Sequence, residues 1–342
     1  MGVNLTPIMK WQNLALRDLT GKSLAIDANN TLHQFLSITR MADGSPFTDP
    51  SGNTTSHLIG LLFRSTKLIS DYAIRLIFIF DGEPPNLKRQ EIEKRRATRR
   101  KAELERTQAL EQGDLRTAFS KAVMTGRLTR GMIDDAKQLL RLLGIPYLQA
   151  PGEAEAQAAY MAAKGYVWAA NSQDYDSLLF GTPRLVRYVT IHGKEYLPSK
   201  GISHPLRPQL IQSERLLSQL NISREKLIDI AILVGTDFNE GISGIGPKTA
   251  LKLIQRYESI ESLPNEIRNK VPNNFHEIRR TFLNPPINNN LSLNFGSIQE
   301  KELYEFLCGQ KNFSKERVVI AIKRIRKFEA QSNLLRWAER RQ

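Results

Sequence analysis

The feature that most constrains the fold is a repeated junction, a short and nearly unbroken apolar run that stops at an aspartate. Ser23-Leu24-Ala25-Ile26 ends at Asp27, Arg75-LIFIF ends at Asp81, and Tyr166 to Ala170 is followed closely by Asp174. Runs this short, dense in β-branched and aromatic residues, suit strands buried on both faces of a parallel sheet. Helical patterns lie between them. Gly131 to Leu143 sets Ile133, Ala136, Leu139, Leu140 and Leu143 on one face and closes at Gly144 and Pro146; Gly152 to Lys164 closes at Gly165. Strands alternating with helices predict an α/β fold with a mostly parallel central sheet and helices on both faces. In such sheets, sites form at the carboxyl ends of the strands, where these aspartates fall.

Residues 86–128 break the alternation. Lys88 to Arg106 holds nine Lys/Arg against four Glu, a net of +5, with few apolar residues. The stretch reads as a helix with almost nothing to bury, either a solvated surface helix or an arch that meets a polyanion. From Ser223 the chain turns helical: SREKLIDIAILVG and, opening with Pro247, PKTALKLIQRY. Between them lies GTDFNEGISGIG, with glycines at 235, 241, 244 and 246; NPPINNNLSLNFGS (284–297) reads as a loop. The last clear helix is Ser314 to Phe328, in a region where Lys311 to Lys327 carry seven basic residues against one Glu. The expected organisation is an α/β domain over 1–220, including the helical arch, a helical region over 221–330 packed on it, and a tail over 331–342.

The formal charge of +14 points to a polyanion partner such as nucleic acid. The single cysteine, Cys308, excludes an intrachain disulfide or a cysteine-rich zinc site. No apolar run is long enough to span a bilayer, and the start MGVNLTPIMKWQNLALRDL lacks the pattern of a secretory signal, so an intracellular protein is expected.

Against this basic background the acids are selective. Asp27, Asp81, Glu153 and Glu155 (in PGEAEA), Asp174 and Asp176 (in SQDYDS), and Asp237 (in GTDF) sit at strand ends or glycine-flanked turns. Any one alone reads as a helix cap or turn residue. Together they predict a shared site, because clustered carboxylates raise one another's pKa unless a cation is present. Oxygen ligands without His or Cys suit Mg²⁺ or Mn²⁺. Seven carboxylates carry about −7, which favours two divalent ions over one; two ions roughly 4 Å apart fit in-line attack on a phosphodiester. Lys88 and Arg95 follow Asp81 and lie about two helical turns apart, so they share a face.

At these residues the sequence resembles the flap endonucleases, the structure-specific 5′ nucleases of DNA replication and repair. The match runs through the Met1-Gly2-Val3 start, AIDANNTLHQFL, TTSHLIGLLFR, FIFDGEPPNLK, the basic arch, PGEAEAQAAY, SQDYDSLLFG and LVGTDFNEGISGIGPKTAL. The absence of a long lysine-rich C-terminal extension is more similar to archaeal members. The resemblance implies that all seven acids form the metal site, with Asp27, Asp81 and Glu155 around one Mg²⁺ and Asp174, Asp176 and Asp237 around the second. It implies that Lys88 and Arg95 contact the scissile phosphate, and that Gly2 lies beside the site once Met1 is removed. GISGIGP matches the family's helix–two-turn–helix, whose Gly241, Ile242 and Ile245 carbonyls would hold K⁺ against a phosphate. The implied DNA-binding set is Gly2, His33, Arg40, Arg64, Lys67, Lys88, Arg95, Gly241, Gly244, Gly246 and Lys248. His33 stands where the family usually has a tyrosine that stacks on a base, and an ordinary imidazole titrates near pH 6.5. QSNLLRWA resembles a sliding-clamp-binding motif, with Gln331, Leu334 and Trp337 as anchors and Ala338 where a second aromatic is usual.

The expected function is hydrolysis of one phosphodiester where a 5′ flap meets duplex DNA, in Okazaki fragment maturation and repair, with 5′–3′ exonuclease activity besides. The expected partners are branched DNA and a sliding clamp, the expected state a monomer, and the expected location the cytoplasm or nucleoid if archaeal, otherwise the nucleus. The rivals are a related 5′ nuclease preferring bubbles or nicks, and a junction-binding scaffold without turnover.

Overall fold

The computed structural model describes residues 2–339 apart from 42–43, 115–116, 119, 122–124, 192–193 and 198–201. Its strands are β1 (Gln12–Asn13), β2 (Ser23–Asp27), β3 (Arg75–Phe80), β4 (Tyr147–Gln149), β5 (Ala169–Asn171), β6 (Arg184–Arg187), β7 (Lys194–Leu197), β8 (Ile202–Pro205) and β9 (Gln209–Gln212). Seven of them form one sheet in the order β1-β9-β6-β5-β2-β3-β4, and β7 and β8 pair apart. β6, β5, β2, β3 and β4 run parallel; β9 and β1 add an antiparallel edge. The fold class read from the sequence is the fold observed.

The apolar runs are explained by burial on both faces. Side chains alternate across a strand, so each run feeds two cores. Leu24, Ile26, Leu76, Phe78 and Phe80 enter a core with helices α1 (Ala28–Ile38), α2 (Ser56–Tyr72) and α4 (Arg130–Leu142). Ala25, Ile77, Ile79 and Ala170 enter the opposite core with α5 (Ala154–Ala163). Helix α5 is alanine-rich and buried on nearly every side; small residues let it lie close to the sheet.

Helix α3 (Arg89–Glu111), between α2 and α4, is the arch helix; within it only Ala102 and Ala109 are buried. It is helical yet almost unsupported by a core, as its composition predicts. A third core joins Val3, Leu5, Ile8 and Met9 to residues 211–282, including α6 (Arg224–Val234) and α7 (Pro247–Tyr257). Leu303, Phe306, Val318, Ile322 and Phe328 instead return to the first core. The 221–330 region is thus shared between two cores.

Two expectations need correction. The strand expected from Tyr166 begins at Ala169, and Tyr166 is 47% exposed. The last helix, α8 (Lys315–Glu339), continues through the stretch expected to be a tail beyond it. No proline or glycine separates Phe328 from Ala338, so nothing in the sequence stops the helix there. The side chains of Leu334 and Trp337 lie outside the described residues. Among the described residues, no helix is long and apolar enough to cross a membrane.

Candidate active site

Parallel pairing carries the acids to one edge. Asp27 ends β2 and lies in register with Ile79 of β3. Asp81 directly follows β3, Glu153 and Glu155 follow β4, and Asp174 and Asp176 follow β5. Asp237 arrives from the loop after α6. Asp27, Glu155, Asp176 and Asp237 are buried; Asp81, Glu153 and Asp174 are half-buried.

Each acid except Glu155 meets an N–H donor. Asp27 Oδ1 caps α1 by accepting from Asn30 N at 2.9 Å. Asp81 Oδ1 accepts from Ala154 N at 2.8 Å, so it caps α5 from another segment, where the helix dipole favours negative charge. Asp174 Oδ2 accepts from Asn30 Nδ2 at 3.0 Å and Asp176 Oδ1 from Val3 N at 3.0 Å. Lys88 Nζ reaches Glu153 Oε2 at 2.5 Å and Asp237 Oδ2 at 3.2 Å. Arg95 Nη2 donates to Asp237 Oδ1 at 2.7 Å, while its Nε donates to Glu91 at 2.8 Å. The base of the arch is thereby tied to acids from two parts of the chain. Gly2 is equally constrained, because a Cβ there would lie 2.5 Å from the Asp176 carboxyl group.

The electrostatics record crowding. Burial, then the charge of Asp81, pushes Asp27 well above the usual carboxylate range. Burial and Glu153 raise Asp81 to about 6. Burial, then Asp176, Asp174 and Asp27, raise Glu155, and burial with Asp237 and Asp174 raises Asp176 to about 7. Glu155 therefore feels Asp176 and Asp174 ahead of Asp27. Asp237 runs the other way: burial pushes it up, but Lys88 and Arg95 more than offset that and hold it low. The same acids raise Lys88 against the cost of its burial.

Glu155 Oε1 is buried and has no hydrogen-bond partner. An orphaned carboxylate oxygen among hard oxygen donors fits a divalent cation, since an unpaired buried charge is otherwise costly. Among the described residues, no three acid, histidine or cysteine side chains close around one point as a preformed cage.

The raised acids make stability depend on pH. Carboxylates in an unfolded chain titrate near 4, whereas Asp81 and Asp176 titrate at about 6 and about 7 when folded. Between those values the folded chain holds the extra protons. The site's stabilising contribution is therefore fully present below about pH 4 and is lost as pH rises through about 6 to 7. In divalent-free buffer, wild-type Tm relative to that of Asp176→Asn should fall between about pH 5 and about pH 8. Added Mg²⁺ should raise wild-type Tm more at the higher pH, because metal binding displaces protons. Calorimetry checks both; a flat wild-type-minus-variant difference would contradict the reading.

The other expected residues divide. Lys248 is exposed and Lys67 half-buried. Arg64 is not a surface contact: it is 7% exposed, and its Nε and Nη2 donate to the Val189 carbonyl at 3.1 and 2.5 Å. Helical phase explains this, since α2 packs between α1 and α8 and turns Arg64 inward. Arg40 donates to the carbonyls of Ser37 and Gly44, bracing its own loop. His33 keeps an exposed edge. Its imidazole is nevertheless lowered to about 4 by desolvation and by Arg99 and Arg95 of the arch. The two guanidinium groups alone give that direction, so the ring is neutral near pH 7. In the glycine loop, Gly241 has an internal reason: a Cβ would meet the Val234 carbonyl at 1.9 Å. Gly244 has φ +82° with nothing nearby, so there the turn itself requires glycine. The Ile242 carbonyl accepts from Ile245 N at 3.0 Å.

Arg187 was not legible in advance. It is buried, donates from Nε to Gln173 O at 2.8 Å and from Nη1 to the Tyr175 hydroxyl at 2.6 Å, and stacks 4.2 Å from the Tyr175 ring centroid. It braces the turn that presents Asp174 and Asp176.

Comparison with known proteins adds independent findings. Residues 1–102 match the XPG N-terminal domain and residues 144–237 the XPG I-region. The chain is 46% identical over 328 residues to flap endonuclease 1 of Pyrococcus horikoshii, covering 96% of this chain and 94% of that protein. It is 45% identical over 345 residues to that of Thermococcus onnurineus, covering 100% of both. Among solved structures, flap endonuclease-1 from Methanococcus jannaschii aligns with TM-score 0.76 and 37% identity over 97% of this chain and 100% of that one. The catalytic core of Rad2 in complex with DNA shares the fold at TM-score 0.66 and 22% identity, over 92% and 96% of the two chains.

Proposed function

The chain belongs to the flap endonuclease family and is a structure-specific 5′ flap nuclease acting on branched DNA; from that premise we propose how its residues divide the work. Asp27, Asp81, Glu153, Glu155, Asp174, Asp176 and Asp237 hold two divalent cations, Mg²⁺ or Mn²⁺. The observation that carries this reading is the convergence of six of them from the ends of four neighbouring parallel strands, joined by Asp237 from the loop after α6, with Glu155 Oε1 left unpartnered. Bound there, such ions would lower the pKa of an attacking water and offset charge on the attacking and leaving oxygens. Lys88 and Arg95 bind the scissile phosphate from the base of the arch, orienting it and stabilising charge as it develops. His33, neutral and partly exposed, offers an uncharged face for stacking on a base.

The wider binding surface follows the same division. The exposed glycine loop at 241–246 lets backbone approach the duplex, with a K⁺ ion at the carbonyls of Gly241, Ile242 and Ile245. Lys248, at the start of α7, contributes charge without reading sequence. The nuclease unit covers 1–220, with the helical region beyond it gripping duplex. The protein acts as a monomer in replication and repair and also degrades 5′ ends exonucleolytically. Gln331, Leu334 and Trp337 engage a sliding clamp from the end of α8. A variant lacking residues 331–342 should lose stimulation by the clamp and retain unassisted cleavage; equal stimulation of both proteins would remove the tail from the interface.

The substrate assignment is tested by a panel of labelled flap, nick, bubble and blunt duplexes at equal concentration. The 5′ flap should give the highest kcat/KM, with cleavage at the junction. Preference for the bubble or nick would favour the related 5′ nucleases instead.

A further inference from the structure

Asp174 is oriented by a chain of side chains outside the acidic cluster. Its Oδ2 accepts from Asn30 Nδ2 at 3.0 Å. Asn30 Oδ1 in turn accepts from Gln34 Nε2, one helical turn further along α1. Gln34 Oε1 is 3.3 Å from the Thr190 hydroxyl, which donates to it. Thr190 is buried, and Arg64 grips the carbonyls on either side of it, Val189 and Ile191. Asn30 also donates its backbone N–H to Asp27. One residue thus contacts two of the seven acids through two different N–H groups.

The polarity of this chain follows from chemistry. An ionised carboxylate only accepts, so Asn30 must present its NH₂ group to Asp174. Its carbonyl oxygen then faces Gln34, which must present its own NH₂ group. The Gln34 oxygen then faces Thr190, whose hydroxyl must donate. Every proton points toward Asp174; Asn30 cannot flip without losing its bonds at both ends, and a flipped Gln34 would lose its bond to Asn30. The half-buried setting strengthens each link and penalises a broken one.

We propose that Asn30, Gln34 and Thr190 are positioning residues that fix the orientation of the Asp174 carboxylate for cation binding, with Arg64 anchoring the far end. The inference rests on the reading of the acids as a divalent-cation site. Partners that orient metal-binding side chains typically contribute about 10- to 100-fold in affinity or activity. They need not touch DNA.

The test is Mn²⁺ titration of the full chain by electron paramagnetic resonance, alongside flap cleavage across a series of DNA concentrations. Wild type and Asp176→Ala come first: if wild type binds no Mn²⁺ that Asp176→Ala loses, the cation site itself is wrong. Given that site, Asn30→Leu should weaken Mn²⁺ binding about 10- to 100-fold and lower kcat with little change in KM for DNA. Thr190→Val should weaken it less, and Thr190→Ser, which keeps the donor, should restore wild-type affinity. Thermal unfolding identifies any variant that fails to fold, and the conservative Val/Ser pair keeps the comparison decisive. Wild-type Mn²⁺ affinity in folded Asn30→Leu, or equal defects in Thr190→Val and Thr190→Ser, would overturn the proposal.

Discussion

Asp176→Ala is expected to lower flap cleavage by at least about 10³-fold while leaving flap binding close to wild type. Asp176 is buried, accepts from Val3 N, and is raised to about 7 by burial and by Asp237 and Asp174. Its carboxyl group feels the charges of both Asp237 and Asp174, so its loss removes a ligand from a crowded part of the cluster. Cation assistance supplies several kcal/mol of transition-state stabilisation, and each 1.36 kcal/mol is tenfold in rate; about 4 kcal/mol gives the stated loss. The substitution removes a crowded negative charge, so folding should not suffer. Single-turnover cleavage with an electrophoretic binding assay separates the two effects. Cleavage reduced by less than tenfold would take Asp176 out of the chemistry.

Lys88→Met is the second large expectation, with kcat reduced about 10²- to 10³-fold, the usual cost of losing one preorganised donor to a developing negative charge. Lys88 faces a competing explanation, because here its charge meets Glu153 and Asp237. If it served only as a counter-charge for those acids, its removal would strengthen divalent-cation binding and leave kcat intact at saturating Mg²⁺. The proposed role predicts that the deficit persists however much Mg²⁺ is added. Lys88→Arg should restore only part of the rate, since a planar guanidinium does not replace a compact ammonium at one point. Measuring kcat across a Mg²⁺ series decides between the two.

Much of the site was legible because parallel sheets leave a simple trace. A strand buried on both faces is a short apolar run, and the residue ending it marks the edge where sites form. Asp27, Asp81 and Asp174 followed from that rule, and α3 from charge without apolar periodicity. What stayed hidden has physical reasons. Arg64 looks like any surface cation, and only the packing of α2 against its neighbours turns it toward Val189. Asn30, Gln34 and Thr190 are ordinary polar residues until 156 residues of chain bring Thr190 back to Gln34. Arg187 braces Tyr175 from a different strand. His33 illustrates a subtler limit: the residue type was visible, but the lowering of its imidazole comes from desolvation and from the charges of Arg99 and Arg95, which only the fold brings near it. The end of α8 misled because a motif suggested a tail where the sequence contains no helix stop.

The most direct measurement of the central claim is wild-type cleavage of a 5′-end-labelled flap substrate, with Mg²⁺ and with the cation chelated. The account predicts one dominant product, cut at the junction of single strand and duplex, that disappears on chelation and returns when Mg²⁺ is restored. A protein that binds the flap tightly yet never cuts it in Mg²⁺ or Mn²⁺, or that cuts without regard to the junction, would contradict it.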